Sequence, residues 1–184
     1  MVRTHWLTSL CLLCTSAILA VSASGRPNEP TGGLSLEMAQ SLIAEAGAQK
    51  AAERVSSDSA MLEPVAAGVA GASEGWLDVG VQLLGHAEGY LQDRLLQSFN
   101  YALQHNATAV LARGASGAPA EAVCGYDPFA ALDDPPKRPE FYQAVTVRER
   151  AVSKVKRPDL AGSKASCLAA LAHLRTVGAS RYEP

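Results

Sequence analysis

The longest regular pattern of apolar residues lies in residues 73–104, where such residues recur every three or four positions. This spacing places them on one side of an α-helix, whereas in a strand they would fall on both faces. The stripe consists of Trp76, Leu83, Leu84, Ala87, Leu91, Leu95, Phe99, Ala102 and Leu103. Each glycine inside a helix costs about 1 kcal/mol relative to alanine. Because this stretch contains several glycines, we expect close packing against neighbouring helices and a break near Gly85.

The composition extends the helical prediction to the rest of the chain. Hydrophobic residues make up 48% of the sequence but aromatic residues only 5%, so alanine supplies much of the apolar fraction and favours helices over a β-sandwich. Further helices are predicted over residues 36–54, with Ser35 as cap and Met38 in the buried stripe, and over 64–72, 138–156 and 163–177. We therefore expect an all-α fold, a single domain over residues 24–184 built as a bundle of four to five helices.

The first 23 residues have the pattern of a secretory signal peptide. Arg3 precedes an apolar run over residues 7–20, and the small residues before Ser24 suit cleavage after Ala23. A retained anchor is the alternative, but the run is short for a membrane span, and no later stretch replaces it. We expect a secreted, extracellular protein without a stable membrane anchor, beginning with a flexible stretch over residues 24–34.

Signal removal leaves two cysteines, Cys124 and Cys167, in an oxidising compartment. Pairing is predicted there, and closing a loop of about 44 residues contributes about 4 kcal/mol in the chain-entropy model. The alternative is two unpaired buried thiols. Residues 114–136 are rich in glycine and proline and predict a long irregular loop, so the disulfide would attach this loop to the last helix.

Asn106 begins the sequon Asn106-Ala107-Thr108, which has a permitted middle residue. Such a sequon in a secreted chain predicts an N-linked glycan, although sequons also occur by chance. Asn106 is thus a candidate glycosylation site of a glycoprotein.

Charge is divided unevenly along the chain. Residues 24–136 contain five basic and fourteen acidic residues, whereas residues 137–184 contain ten basic and four acidic ones, giving net charges of −9 and +6. One interpretation is that the two blocks pack against each other. The other is that Arg148, Lys154, Lys156 and Arg157 dock an anionic partner. Nucleic acid is not expected as that partner, because the aromatic residues of this segment are not interleaved with its cations.

The residues that carry chemistry form no recognisable catalytic or metal-binding motif. The histidines His86, His105 and His173 have no nucleophile, metal-ligand or phosphate-binding pattern around them. The pair Asp133-Asp134 has too few neighbouring oxygen ligands for calcium and fits a turn better. We expect no enzymatic activity, no metal and no cofactor.

These observations favour a secreted, non-catalytic helical binding or interaction protein. Its partner would be an extracellular protein, a glycan or a small apolar ligand. One alternative is a structural component of a secreted matrix, favoured by the alanine, glycine and serine content but opposed by the lack of a repeat. A third class, a peptide-hormone precursor, is suggested by the dibasic pairs at 137–138 and 156–157, but a proline follows each pair and restricts cleavage.

Overall fold

A computed structural model describes residues 33–130 and 136–182. Within these two ranges the chain forms eight α-helices and two short 3₁₀ turns, at Gly114–Ser116 and Pro158–Leu160, and no strand. The all-α prediction is therefore confirmed. The helices are α1 (Leu36–Ala46), α2 (Ala48–Ser57), α3 (Ser59–Ala70), α4 (Glu74–Leu84), α5 (Gly89–Ala112), α6 (Ala120–Gly125), α7 (Arg138–Ser153) and α8 (Ala161–Arg181).

Some expectations fall on residues outside the two described ranges. These include the signal peptide over residues 1–23, the Asp133-Asp134 pair and nearly all of the flexible stretch over 24–34. Leu34, the last residue of that stretch, is described and lies buried in the core. The core therefore includes the last residue of the stretch predicted to be flexible.

The helices are more numerous than the expected four to five because glycines divide two of the predicted segments and α6 forms within the predicted loop. Gly47 has a φ of 81°, a conformation that only glycine adopts easily, and it separates α1 from α2. Gly85 ends α4, and the chain turns before α5 begins at Gly89. The predicted cap is confirmed, since Ser35 Oγ accepts a hydrogen bond from the Met38 amide at 3.2 Å.

Residues 114–130, which are the described part of the predicted loop apart from Pro136, are less irregular than predicted. They contain the first 3₁₀ turn and α6, whose buried residues Val123 and Cys124 attach it to the core. Cys124 and Cys167 form the predicted disulfide, with their Cα atoms 5.2 Å apart. A buried bridge thus joins α6 to α8, and the apolar side of α6 explains why this part of the segment folds.

Helix α5 lies at the centre and packs against α3, α4, α6 and α7. The close approach expected from the glycines occurs at Gly80, where a Cβ atom would lie 2.7 Å from Val69 Cγ2 and 3.0 Å from Phe99 Cζ. Only glycine lets α3, α4 and α5 meet at this distance.

An aromatic cluster holds the end of the described chain. The Phe141 ring stacks on Tyr182 with centroids 4.6 Å apart and meets Phe129 edge-on at 6.4 Å. The Tyr182 hydroxyl donates to Asp127 Oδ2 at 2.7 Å. Burial, with a smaller effect of Asp127, raises the pKa of Tyr182, so the hydroxyl keeps the proton that it donates to Asp127.

Two glycines of α8 provide a test of this packing. A methyl group at Gly178 would lie 2.2 Å from Phe141 Cζ, whereas nothing lies within 4 Å of one at Gly162. We expect Gly178→Ala to lower the free energy of unfolding by about 1–3 kcal/mol through overpacking. Gly162→Ala should raise it by about 0.4–1 kcal/mol, because alanine favours the helix. Urea unfolding of both variants checks the difference, and equal effects would contradict this packing.

The disulfide provides a second test. Replacing both cysteines in Cys124→Ala/Cys167→Ala should lower the free energy of unfolding by about 2–5 kcal/mol, because the unfolded chain regains the freedom of the closed loop. The mature protein, without residues 1–23, should contain no titratable thiol, and its mass should be about 2 Da below that of its reduced form, as the loss of two hydrogens requires. Two free thiols in the oxidised protein would disprove the pairing.

Candidate interaction surfaces

Arg148 lies inside the protein, with only 1% of its surface exposed. Its Nη1 donates to Asn100 Oδ1 at 2.7 Å, and its Nε donates to the Ala144 carbonyl at 3.0 Å. Burial lowers the pKa of Arg148 to about 10, and the charge of Asp127 acts in the opposite direction. The guanidinium is therefore still charged at neutral pH.

Asn100 connects this guanidinium to α6. Its Nδ2 donates to the Val123 carbonyl at 3.0 Å and, at 3.4 Å, to the Tyr126 carbonyl. One amide thus joins α5, α7 and the end of α6, and residues distant in the sequence meet at one buried polar contact.

The placement of Arg148 on a docking surface is wrong, because no partner can reach it. Helical spacing explains its burial: Phe141, Val145, Arg148 and Val152 share one side of α7, and all four are buried. The position of Arg148 along α7 therefore places its side chain in the core, although the side chain is charged.

The other three predicted docking cations, Lys154, Lys156 and Arg157, are exposed at the end of α7. Arg150, which the sequence interpretation missed, is exposed one helical turn before Lys154 and so lies on the same face. Arg157 pairs with Asp159, and this contact raises the pKa of the arginine and lowers that of the aspartate. Arg150, Lys154, Lys156 and Arg157 are called the basic surface below.

The ion pairs bear on whether the two charge blocks neutralise each other. Among the residues described there are five ion pairs, and in four of them both partners belong to the same block. Two of these pairs lie in the acidic block and two in the basic block: Arg94–Glu63 and Arg113–Asp78, and Arg157–Asp159 and Arg175–Glu149. Only Arg181–Asp127, at 2.9 Å, joins the acidic block to the basic one. Ion pairs between the two blocks therefore neutralise little of their opposite charge in the described part of the chain.

A second surface is a groove of about 340 Å³ at the N-terminal end of the described chain. Its apolar side chains come from Leu34, α1 and α3, and its rim carries two exposed glutamates. Met38, expected in the buried stripe, is 58% exposed here. The groove is lined by Leu34, Glu37, Met38, Ser41, Leu42, Glu45 and Met61 and is called the acidic groove below.

The three histidines in the part of the chain that the structure describes are all exposed. His86 is exposed in a cleft of about 380 Å³ beside Glu53 and Glu88, and His105 and His173 are exposed elsewhere. Across residues 33–130 and 136–182, no three histidine, cysteine, aspartate or glutamate side chains are placed to hold a metal ion. In the same ranges, none of the helices has the length and hydropathy of a membrane span.

Asn106 lies at a kink within α5, with φ −149° and ψ 66°. Its Oδ1 accepts the Ala109 amide at 3.1 Å and so caps the second part of the helix. The residue is half-buried. A glycan on Nδ2 is compatible with this cap, and glycosylation of Asn106 stays a prediction.

Comparison with protein-family models, with curated proteins and with solved structures finds no match to this chain.

The two asparagines of α5 test the role of the buried arginine. Asn100→Ala should lower the free energy of unfolding by about 3–5 kcal/mol, since it leaves a buried charge without its side-chain partner. Asn106→Ala removes only a helix cap and should cost about 1 kcal/mol. Urea unfolding of both variants, prepared without glycosylation, measures the two values. A cost for Asn100→Ala no greater than that of the cap would contradict the central role of this contact.

Proposed function

We propose that this chain is a secreted, non-catalytic interaction protein that docks an anionic partner outside the cell through its basic surface. Arg150, Lys154, Lys156 and Arg157 supply the charge at the end of α7. The partner would be a protein or glycan that carries clustered negative groups.

The observation that carries this proposal is the lack of internal neutralisation at these cations. Arg150, Lys154 and Lys156 are exposed, and none forms an ion pair with any residue in the described ranges. Arg157 is the exception, through Asp159. Lys164 adds to the positive charge nearby, because its Nζ donates to the Ser153 and Val155 carbonyls at 2.7 and 2.8 Å. Several cations thus meet at one helix end and remain available to a partner.

Secretion is supported by the N-terminal sequence pattern and by the buried disulfide, since such bridges persist in oxidising compartments. A non-catalytic role is proposed because the sequence has no catalytic motif around His86, His105 or His173.

Chromatography on heparin, used as a polyanionic probe, tests the basic surface. The unaltered protein should be retained at physiological salt and elute only above about 0.3 M salt, because several clustered cations act together. Lys154→Glu/Lys156→Glu should flow through at physiological salt. Its free energy of unfolding should change by less than about 1 kcal/mol, as expected for surface charges.

The matched control is Lys50→Glu/Arg54→Glu, which makes the same change in net charge at two exposed cations of α2. This control should stay on the column if the basic surface is responsible. Equal loss in both variants would point to net charge alone, and failure of the unaltered protein to bind would refute the proposed docking.

A further inference from the structure

The acidic groove combines an exposed apolar side chain with two carboxylates. Met38 is the second most exposed of the large hydrophobic residues in the described ranges, at 58%. Glu37 and Glu45 lie eight residues apart on α1, so they are about 12 Å apart along the helix axis. Such a surface suits a helix face that carries an apolar side chain beside cations.

The chain itself presents a face of that kind at the end of α7. Val147 is 38% exposed, and Arg150 and Lys154 follow it at three and seven residues, on the same side of the helix. The apolar residue and the cations together span about 10 Å along the axis, which fits within the roughly 12 Å between the two glutamates, and the two cations themselves are about 6 Å apart.

We propose that the acidic groove of one copy of this protein binds the end of α7 of a second copy. This inference rests on the proposed function, because it names the anionic partner of the basic surface. Val147 would contact Met38 and Leu42, and Arg150 and Lys154 would lie beside Glu37 and Glu45. The two surfaces are complementary in charge: the chain separates its charges into a negative and a positive block, and within the described residues of one molecule a single ion pair joins them.

The groove and the helix end are different surfaces, so the contact is head-to-tail. In a pair of copies, one copy keeps a free helix end and the other keeps a free groove, so the assembly extends linearly unless its rotation closes a ring. The contact area is small and its charges are exposed, so the association is weak and sensitive to salt.

Sedimentation velocity of the full secreted chain tests this inference. At about 0.05 M salt the weight-average mass should rise at least about twofold as protein concentration increases, and at about 0.5 M salt it should return to the monomer value because the charges are screened. A protein that stays monomeric at all concentrations in low salt overturns the inference.

Charge reversals identify the two faces. Glu37→Lys/Glu45→Lys and Arg150→Glu/Lys154→Glu should each be monomeric, since each places like charges opposite one another. The combined fourfold variant should associate again, a result that loss of folding cannot produce. The matched control, Glu53→Lys/Glu88→Lys, reverses two exposed glutamates outside the groove and should associate like the unaltered protein.

Association that survives reversal of the groove, or a fourfold variant that stays monomeric, overturns the inference. The same variants on heparin separate this inference from the wider proposal. Glu37→Lys/Glu45→Lys keeps the basic surface and should be retained at least as strongly as the unaltered protein. Retention of a protein that never self-associates overturns the second-copy contact and leaves the proposed function standing, whereas absence of both overturns both.

Discussion

The contact between Arg148 and Asn100 is the constraint on which the C-terminal half of this fold depends. A charged guanidinium in the interior needs hydrogen-bond partners, and Asn100 supplies one at 2.7 Å while its amide nitrogen reaches a carbonyl of α6. The disulfide then fixes the same short helix to α8. Since α6 has only six residues and little intrinsic stability, these two contacts explain how it keeps its place among longer helices.

The all-α class of the fold could be predicted from the sequence more reliably than the number of helices. Apolar spacing and alanine content predicted the all-α class, and Ser35 was recognised as a cap because its position precedes the first periodic residue. The break at Gly47 depends on its backbone conformation, which the spacing of apolar residues does not indicate. Helix α6 was missed because glycine and proline around it indicate a loop, while its stability comes from tertiary contacts at Cys124 and Asn100.

The candidate site, too, could be predicted only in part from the sequence. Charge content drew attention to the basic block, but charge alone does not distinguish Arg148 from Arg150. Their positions on α7 do: Arg148 aligns with Phe141, Val145 and Val152, whereas Arg150 lies on the exposed face. That periodicity was available in the sequence. The acidic groove was not, because the exposure of Met38 depends on how α1 and α3 meet.

The basic surface would have two competing binding partners. A second copy and a foreign polyanion would contact the same cations at the end of α7, so binding of one excludes the other. Screening by salt weakens both contacts, and protein concentration favours only the self-contact. At a fixed protein concentration, a polyanion that carries many charges would therefore occupy the basic surface and dissociate the head-to-tail assemblies. In this way the separation of charge along one small chain would couple its assembly to its surroundings.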